Sequence, residues 1–304
     1  MSDIIQADII QAQVITSYGS HGVVRTENGE LLECRYRRQL GRPLCGDNIL
    51  IKADYQVKQA SLEKILPRHS CFYRGDARQR KHAVAANLDQ IVIVVCPYPS
   101  PPSHLLDRYL VAVENLNLKA LLVFNKTDLK ATQPEISERM QIQFDYLHSL
   151  GYPVIQTSCK SPAGADSLEA ALNDKCSILV GQSGVGKSSL INTIFPGREL
   201  QTRTISNATQ KGKHTTTATT LYFLPESGQI IDSPGVWEFG LWSMSARELQ
   251  QGFIEFEQWA ADCKFSNCLH THEPDCGVKD ALDAGILPKS RYLAYTQALS
   301  MFSE

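Results

Sequence analysis

Gly181-Gln182-Ser183-Gly184-Val185-Gly186-Lys187-Ser188 reads as G-x-x-x-x-G-K-S, the pattern of a phosphate-binding loop. The apolar run Ser177 to Val180 precedes it, and Ser189-Leu190-Ile191 opens an expected helix behind it. Glycines are needed because the backbone must curl round phosphates with its N–H groups turned inward. Lys187 is placed to reach the β- and γ-phosphates, and the Ser188 hydroxyl to ligate Mg²⁺. Residues 181 to 188, with Ser189 at the head of the helix, are the expected phosphate contacts.

Outward from this loop, strand-type runs alternate with helical stretches. Ile91 to Val95, Leu121 to Phe124, Val154-Ile155 and Ile178 to Val180 are apolar runs, with helices expected over Leu105 to Asn115 and Ser137 to Leu150. That alternation predicts βαβ units around a parallel sheet.

Asn125-Lys126-Thr127-Asp128 follows the strand Leu121 to Phe124 directly. An aspartate at the fourth position can accept two hydrogen bonds, from N1–H and the exocyclic amine of guanine. Adenine offers no such donor pair and would leave the carboxylate unpaired. The lysine stem can lie against a base. The motif selects GTP and GDP over ATP. Thr157-Ser158-Cys159-Lys160 follows the next strand and is similar to the loop that contacts the guanine carbonyl, with Ser158, Cys159 and Lys160 as its residues; an ordinary polar loop is the competing reading.

Asp232-Ser233-Pro234-Gly235 follows Gln229-Ile230-Ile231 and matches the D-x-x-G of a second switch. Its carboxylate is expected to hold Mg²⁺ through water, and the Gly235 N–H to sense the γ-phosphate. His214-Thr215-Thr216-Thr217 precedes another strand and resembles a first switch, with Thr216 assigned to Mg²⁺; β-propensity alone also explains a threonine run before a strand. The order is base loop, then phosphate loop, then switches. Ordinary GTPases begin with the phosphate loop, so this is a circular permutation, which a domain with neighbouring ends tolerates. Val236 stands where Ras-like proteins carry the glutamine that orients water. Slow intrinsic hydrolysis is therefore expected, with Lys187, Thr216 and His214 as the catalytic set. For His214 the competing reading is a packed or solvent-facing side chain.

Cys263-x4-Cys268-x-His270-x5-Cys276 brings three thiols and an imidazole within 14 residues. Such a set closes a tetrahedral, structural zinc site with no place for water; loop thiols in a reducing compartment are the alternative. The other six cysteines are scattered and read as small apolar core residues. Around the cluster the chain turns helical, starting from the capping box Ser245-Ala246-Arg247-Glu248. The spacing of Leu249, Phe253, Phe256, Trp259 and Ala260 predicts one apolar face on that helix.

The opposite end reads as β. Val14-Ile15, Val23-Val24, Leu31-Leu32 and Ile49 to Ile51 are short strand runs, and Asn28-Gly29 is a hairpin signal. A small barrel of the OB type is predicted, with Pro67 and the polar run Arg74 to His82 as a linker. Residues 1–82 hold 13 Lys and Arg against 9 Asp and Glu, while the remainder holds 17 against 23. Arg35, Arg37, Arg38 and Arg42, interleaved with Tyr36, suit single-stranded nucleic acid; a solvated strand face is the bland reading.

The chain of 304 residues, 43% hydrophobic and 20% charged, is expected to be multidomain: residues 1–72 an OB-fold β-barrel, 73–243 a permuted α/β P-loop GTPase domain, 244–304 an α-helical zinc-binding domain. No apolar run approaches the roughly 20 residues of a membrane span, and no secretory signal precedes the barrel, so a cytoplasmic monomer is expected.

Together, the barrel, Ala85-Ala86-Asn87-Leu88-Asp89-Gln90, the permuted motifs, HTTT, DSPG and the cysteine–histidine spacing resemble the ribosome small-subunit-dependent GTPase family called RsgA or YjeQ. The resemblance covers nearly the whole chain. It implies an enzyme that joins late maturation of the small (30S) subunit, binds its rRNA and hydrolyses GTP faster on it. It also implies Cys263, Cys268, His270 and Cys276 as zinc ligands. No long basic stretch precedes the barrel, so no function resting on one is expected. Large-subunit assembly and a P-loop ATPase or kinase are the alternatives; the barrel and cluster oppose the first, NKTD the second.

Overall fold

The computed structural model describes residues 9–75, 80–158, 160, 162–197, 219–233 and 244–302. Five strands open the chain: β1 (Ile9–Ser17), β2 (His21–Thr26), β3 (Leu31–Arg35), β4 (Asn48–Asp54) and β5 (Gln59–Ile65). They run in the order β1-β2-β3-β5-β4, and β4 returns to pair with β1 from Ile9↔Lys52 to Gln13↔Asn48. Closure removes the sheet edge, so this is the five-stranded OB barrel. Alternate residues point inward, and Val14, Val24, Cys34, Ile49, Ile51 and Leu62 are fully buried. The β2–β3 hairpin differs from a two-residue turn. Gly29 N–H donates to Thr26 O at 2.9 Å and Thr26 N–H to Glu30 O at 3.0 Å. Only Gly29 takes positive φ, at 88°, so Asn28 is not used as a left-handed residue.

The expected linker contains secondary structure. β6 (Cys71–Gly75) and β7 (Lys81–Ala86) form an antiparallel ribbon. Phe72 and Ala85, both fully buried, anchor it to the core, which its polar neighbours in sequence concealed.

Next comes the α/β layer: β8 (Gln90–Val95), α1 (Leu105–Asn115), β9 (Lys119–Phe124), α2 (Pro134–Ser149), β10 (Val154–Gln156), α3 (Pro162–Leu172), β11 (Cys176–Val180), α4 (Lys187–Ile194), β12 (Thr220–Phe223) and β13 (Gln229–Asp232). The order is β10-β9-β8-β11-β13-β12, parallel except for β12. Every residue of β8 and β11 is buried, as expected of strands covered on both faces. Barrel and sheet are joined. Thr16 of β1 pairs with Thr220 of β12, and the amides of Gln13 and Gln229 exchange hydrogen bonds at 3.0 and 3.1 Å.

The last unit holds α5 (Ala246–Gln251), α6 (Phe256–Ala260), α7 (Gly277–Asp283) and α8 (Lys289–Phe302). The capping box forms as expected, with Glu248 N–H donating to Ser245 Oγ and Ser245 N–H to the Glu248 carboxylate. The single helix expected beyond it is two. It breaks at Gly252, where a Cβ would lie 2.7 Å from Val111 Cα of α1. Close contact with the GTPase layer thus replaces helical continuity. Leu249, Phe253 and Phe256 are buried, but Ala260 is exposed. No helix among the described residues is long and apolar enough to cross a membrane.

Candidate functional site

β11 ends in the phosphate loop, and α4 starts from it. Gly181 has φ 143°, and a Cβ there would sit 2.2 Å from Val94 O; at Gly186, φ 98°, it would sit 2.5 Å from Asn125 Nδ2. Side chains are excluded at both positions, and this close approach lets the loop wrap an anion at the head of α4. Gln182, Ser183, Gly184 and Val185 complete the turn, while Ser188 and Ser189 lie exposed in the first turn of α4. Lys187 is 8% exposed. Its ammonium donates to Gly181 O at 2.5 Å and Gln182 O at 2.9 Å. Burial lowers its pKa to about 8, against the opposing pull of Asp232 and Cys96. A phosphate in the loop would add a further anion beside this buried cation and favour its charged form.

The base loop packs directly on the phosphate loop. Asn125 is fully buried. Its Nδ2 donates to Val185 O at 2.8 Å, and its Oδ1 accepts from Thr157 Oγ1 at 2.9 Å. Lys126, at φ 57°, donates to Gly184 O at 2.6 Å and Tyr98 O at 2.9 Å. Thr127 N–H and Oγ1 both reach Thr157 O. Asp128 accepts from Ser158 Oγ at 2.6 Å and faces Lys160 Nζ at 2.9 Å. Those two donors hold its carboxyl below the usual range, so an ionised acceptor pair is presented to solvent. Asp232 ends β13, beside β11 in register Ile178↔Ile231. Just beyond, Ser233 Oγ meets Thr219 Oγ1 at 2.8 Å, linking the flanks of the two switch segments. Cys159, His214, Thr216 and Gly235 lie outside the described residues.

About the metal cluster, the donor atoms of Cys263, Cys268, His270 and Cys276 all lie within 4.8 Å of one another. The Cys263 and Cys276 sulfurs are 3.8 Å apart, and His270 Nδ1 is 3.3 Å from Cys276 Sγ and 3.6 Å from Cys263 Sγ. A tetrahedron with metal–sulfur bonds of about 2.3 Å and metal–nitrogen bonds of about 2.0 Å has edges of roughly 3.5–3.8 Å. The donor set therefore fits a tetrahedral ion bound through Nδ1. Burial pushes the Cys268 thiol up to about 12, and a bound cation would favour its thiolate form.

Several residues around both sites escaped sequence reasoning. Glu273 accepts from the N–H groups of Leu269, Thr271 and His272 at 2.8, 2.9 and 3.1 Å. Burial pushes its carboxyl up, but these donors outweigh it and hold it down to about 2. Tyr292 and Tyr295 donate to His270 O and Leu269 O, each at 2.7 Å. Among the arginines flagged for nucleic acid, Arg35 ends β3, Arg37 pairs with Glu63 at 3.7 Å, and Arg38 and Arg42 line a cleft of about 340 Å³. Tyr36 is half-buried: it packs against the barrel core, donates to Thr16 O at 3.4 Å and lines the same cleft as Arg38 and Arg42. The exposed aromatic nearby is Tyr18, stacked on His21 at 5.3 Å.

The model of the RsgA GTPase family matches residues 65–242. This chain belongs to the RsgA GTPase family. A protein of Histophilus somni named "Small ribosomal subunit biogenesis GTPase RsgA" is 37% identical, over 99% of this chain and 87% of its own length. One of that name from Azotobacter vinelandii is 39% identical, over 96% and 85%. The solved structure of YjeQ from Thermotoga maritima superposes with a TM-score of 0.79 at 29% identity, covering 97% of this chain and 99% of its own. YloQ, described as a circularly permuted GTPase, gives 0.76 at 26% identity over 99% and 98%. As an RsgA GTPase the chain is a GTP-hydrolysing enzyme that takes guanine nucleotides.

Proposed function

We propose that this GTPase acts in maturation of the small ribosomal subunit, the process in the names of its relatives. The subunit and its rRNA are its partners. The observation that carries the nucleotide part is the pairing of Asn125 with Val185 O, which seats the base-selecting loop against the phosphate loop. Guanine then meets Asp128 while Lys187 meets the phosphates. Ser188, Asp232 and Thr216 are the proposed Mg²⁺ ligands, and that ion would offset charge on the phosphates. Cys263, Cys268, His270 and Cys276 are the proposed ligands of one structural zinc.

Residues 1–72, 73–243 and 244–304 are the proposed units for RNA binding, hydrolysis and metal-stabilised docking, in a cytoplasmic monomer. The cleft at Arg38 and Arg42, with Tyr18 exposed nearby, supports RNA contact by the first unit. Val236 cannot orient water, so the free enzyme is slow, and His214 or a group of the partner completes the site on the subunit.

The deciding experiment is GTP turnover with and without purified small subunits. The expected stimulation is at least about tenfold, or roughly 1.4 kcal/mol of barrier, with association weakening as salt rises. Equal stimulation by large subunits, or none by small ones, overturns the ribosomal part of this reading.

A further inference from the structure

Arg291 of α8 is 3% exposed, and it bridges two units of the fold. Its guanidinium donates to Asp107 of α1 at 2.8 Å and to both oxygens of Glu255 at 2.7 and 3.2 Å. Both carboxylates are as buried as the arginine. Gln143 of α2 adds a bond to Asp107 at 3.2 Å, and the guanidinium also lies 4.3 Å from the Phe253 ring centre. A buried charged group with this many fixed partners is costly to displace, so it ties α8 and α1 into one piece. A second tie holds the far end of α1, where Asn115 Nδ2 donates to Glu248 O at 2.9 Å.

Both ends of this piece reach a functional site. On α8 the neighbours Tyr292 and Tyr295 hold the carbonyls of the metal loop. Ahead of α1, the loop from Cys96 braces the nucleotide site. Tyr98 O accepts from Lys126, and Pro99 lies 3.6 Å from where a Cβ on Gly184 would be.

We propose that Arg291 is a positioning residue: by holding α1 to the C-terminal unit through Asp107, it sets the loop that braces the phosphate and base loops, so that the C-terminal unit and the bound guanine nucleotide affect one another. The route bypasses residues 234–243, the direct covalent link between the second switch and the C-terminal unit. It rests on the reading of residues 125–128 and 181–188 as the guanine-nucleotide site. Arg291 and Asp107 touch neither substrate nor metal in this scheme, and coupling is reciprocal by linkage.

The test uses the full zinc-loaded chain, with hydrogen exchange of residues 289–302 measured free and with GDP, and release of fluorescent methylanthraniloyl-GDP measured alongside. In the unsubstituted chain, GDP is expected to slow exchange in α8. Asp107→Asn keeps shape and an acceptor but drops the charge. It is expected to abolish that response and speed GDP release at least about fivefold, the low end of ordinary coupling, with zinc content unchanged. If Asp107→Asn does not fold, Arg291→Lys is read the same way, since it keeps the charge and loses the fork. Undiminished protection of α8 by GDP in the variant, or none in the unsubstituted chain despite bound GDP, overturns the proposal. Failure of the unsubstituted chain to bind GDP at all overturns the nucleotide reading beneath it, and the proposal with it.

Discussion

Asn125 Nδ2 donates to the main-chain carbonyl of Val185 at 2.8 Å, so one buried amide joins the proposed base-selecting loop to the proposed phosphate loop. The same amide accepts from Thr157, drawing in the loop that carries Ser158 and Lys160. Asn125→Ala strands the Val185 carbonyl and the Thr157 hydroxyl. Leaving buried groups unpaired costs about 1–3 kcal/mol, so GDP affinity should fall roughly 5- to 150-fold. Calorimetric titration reads this directly, and an unchanged dissociation constant removes Asn125 from the site.

The proposed determinant of base choice is Asp128. Asp128→Asn replaces an acceptor with a donor, and the loss of a charged pair should weaken GTP binding by roughly 2–4 kcal/mol while favouring xanthine nucleotides. The hydrogen bonds from Ser158 and Lys160 lower the carboxyl below its ordinary 3.8. A depressed carboxyl keeps its charge as pH falls, so guanine selectivity should hold through pH 5 and be lost only below that ordinary value. Equal binding of ATP and GTP by the unsubstituted chain would falsify the assignment.

Lys187 gives a pH signature of opposite sense. Burial lowers its pKa from 10.5 to about 8, and phosphate restores the charged form. Nucleotide binding should therefore take up a proton above pH 8. Affinity should be full below pH 8 and decline as pH rises through it. Titrations in buffers of different ionisation enthalpy count that proton, and a count of zero at pH 9 contradicts the placement. Lys187→Ala and Ser188→Ala should each remove most turnover with the melting curve unchanged.

The cysteine–histidine cluster should hold about one zinc per chain by elemental analysis. Structural zinc contributes to folding directly, with apparent binding of about 10–16 kcal/mol in small zinc-dependent peptides. Chelation should therefore raise hydrogen exchange over residues 263–276 and in α8, whose tyrosines hold the metal loop. The barrel should change little, because its core is a separate cluster. A folded, metal-free chain with the same exchange pattern would refute the zinc reading.

By itself the sequence determined the chemistry. G-x-x-x-x-G-K-S, NKTD, DSPG and the cysteine–histidine spacing are local patterns, because each chemistry needs set residue types a few positions apart. Their order along the chain disclosed the permutation, and short β-type runs separated by turn residues pointed to the barrel. Tertiary structure decided what depends on partners distant in sequence. Arg291 and Asp107 are 184 positions apart, and neither charge carries a local signal of burial. Tyr36 sits among arginines in sequence, but only the fold shows that it also packs against the barrel core. Gly252 ends a helix that periodicity would continue, because the backbone of α1 lies against it. The residues that shape each site through packing were set by how the layers meet, and close packing between elements leaves no period in the chain to read.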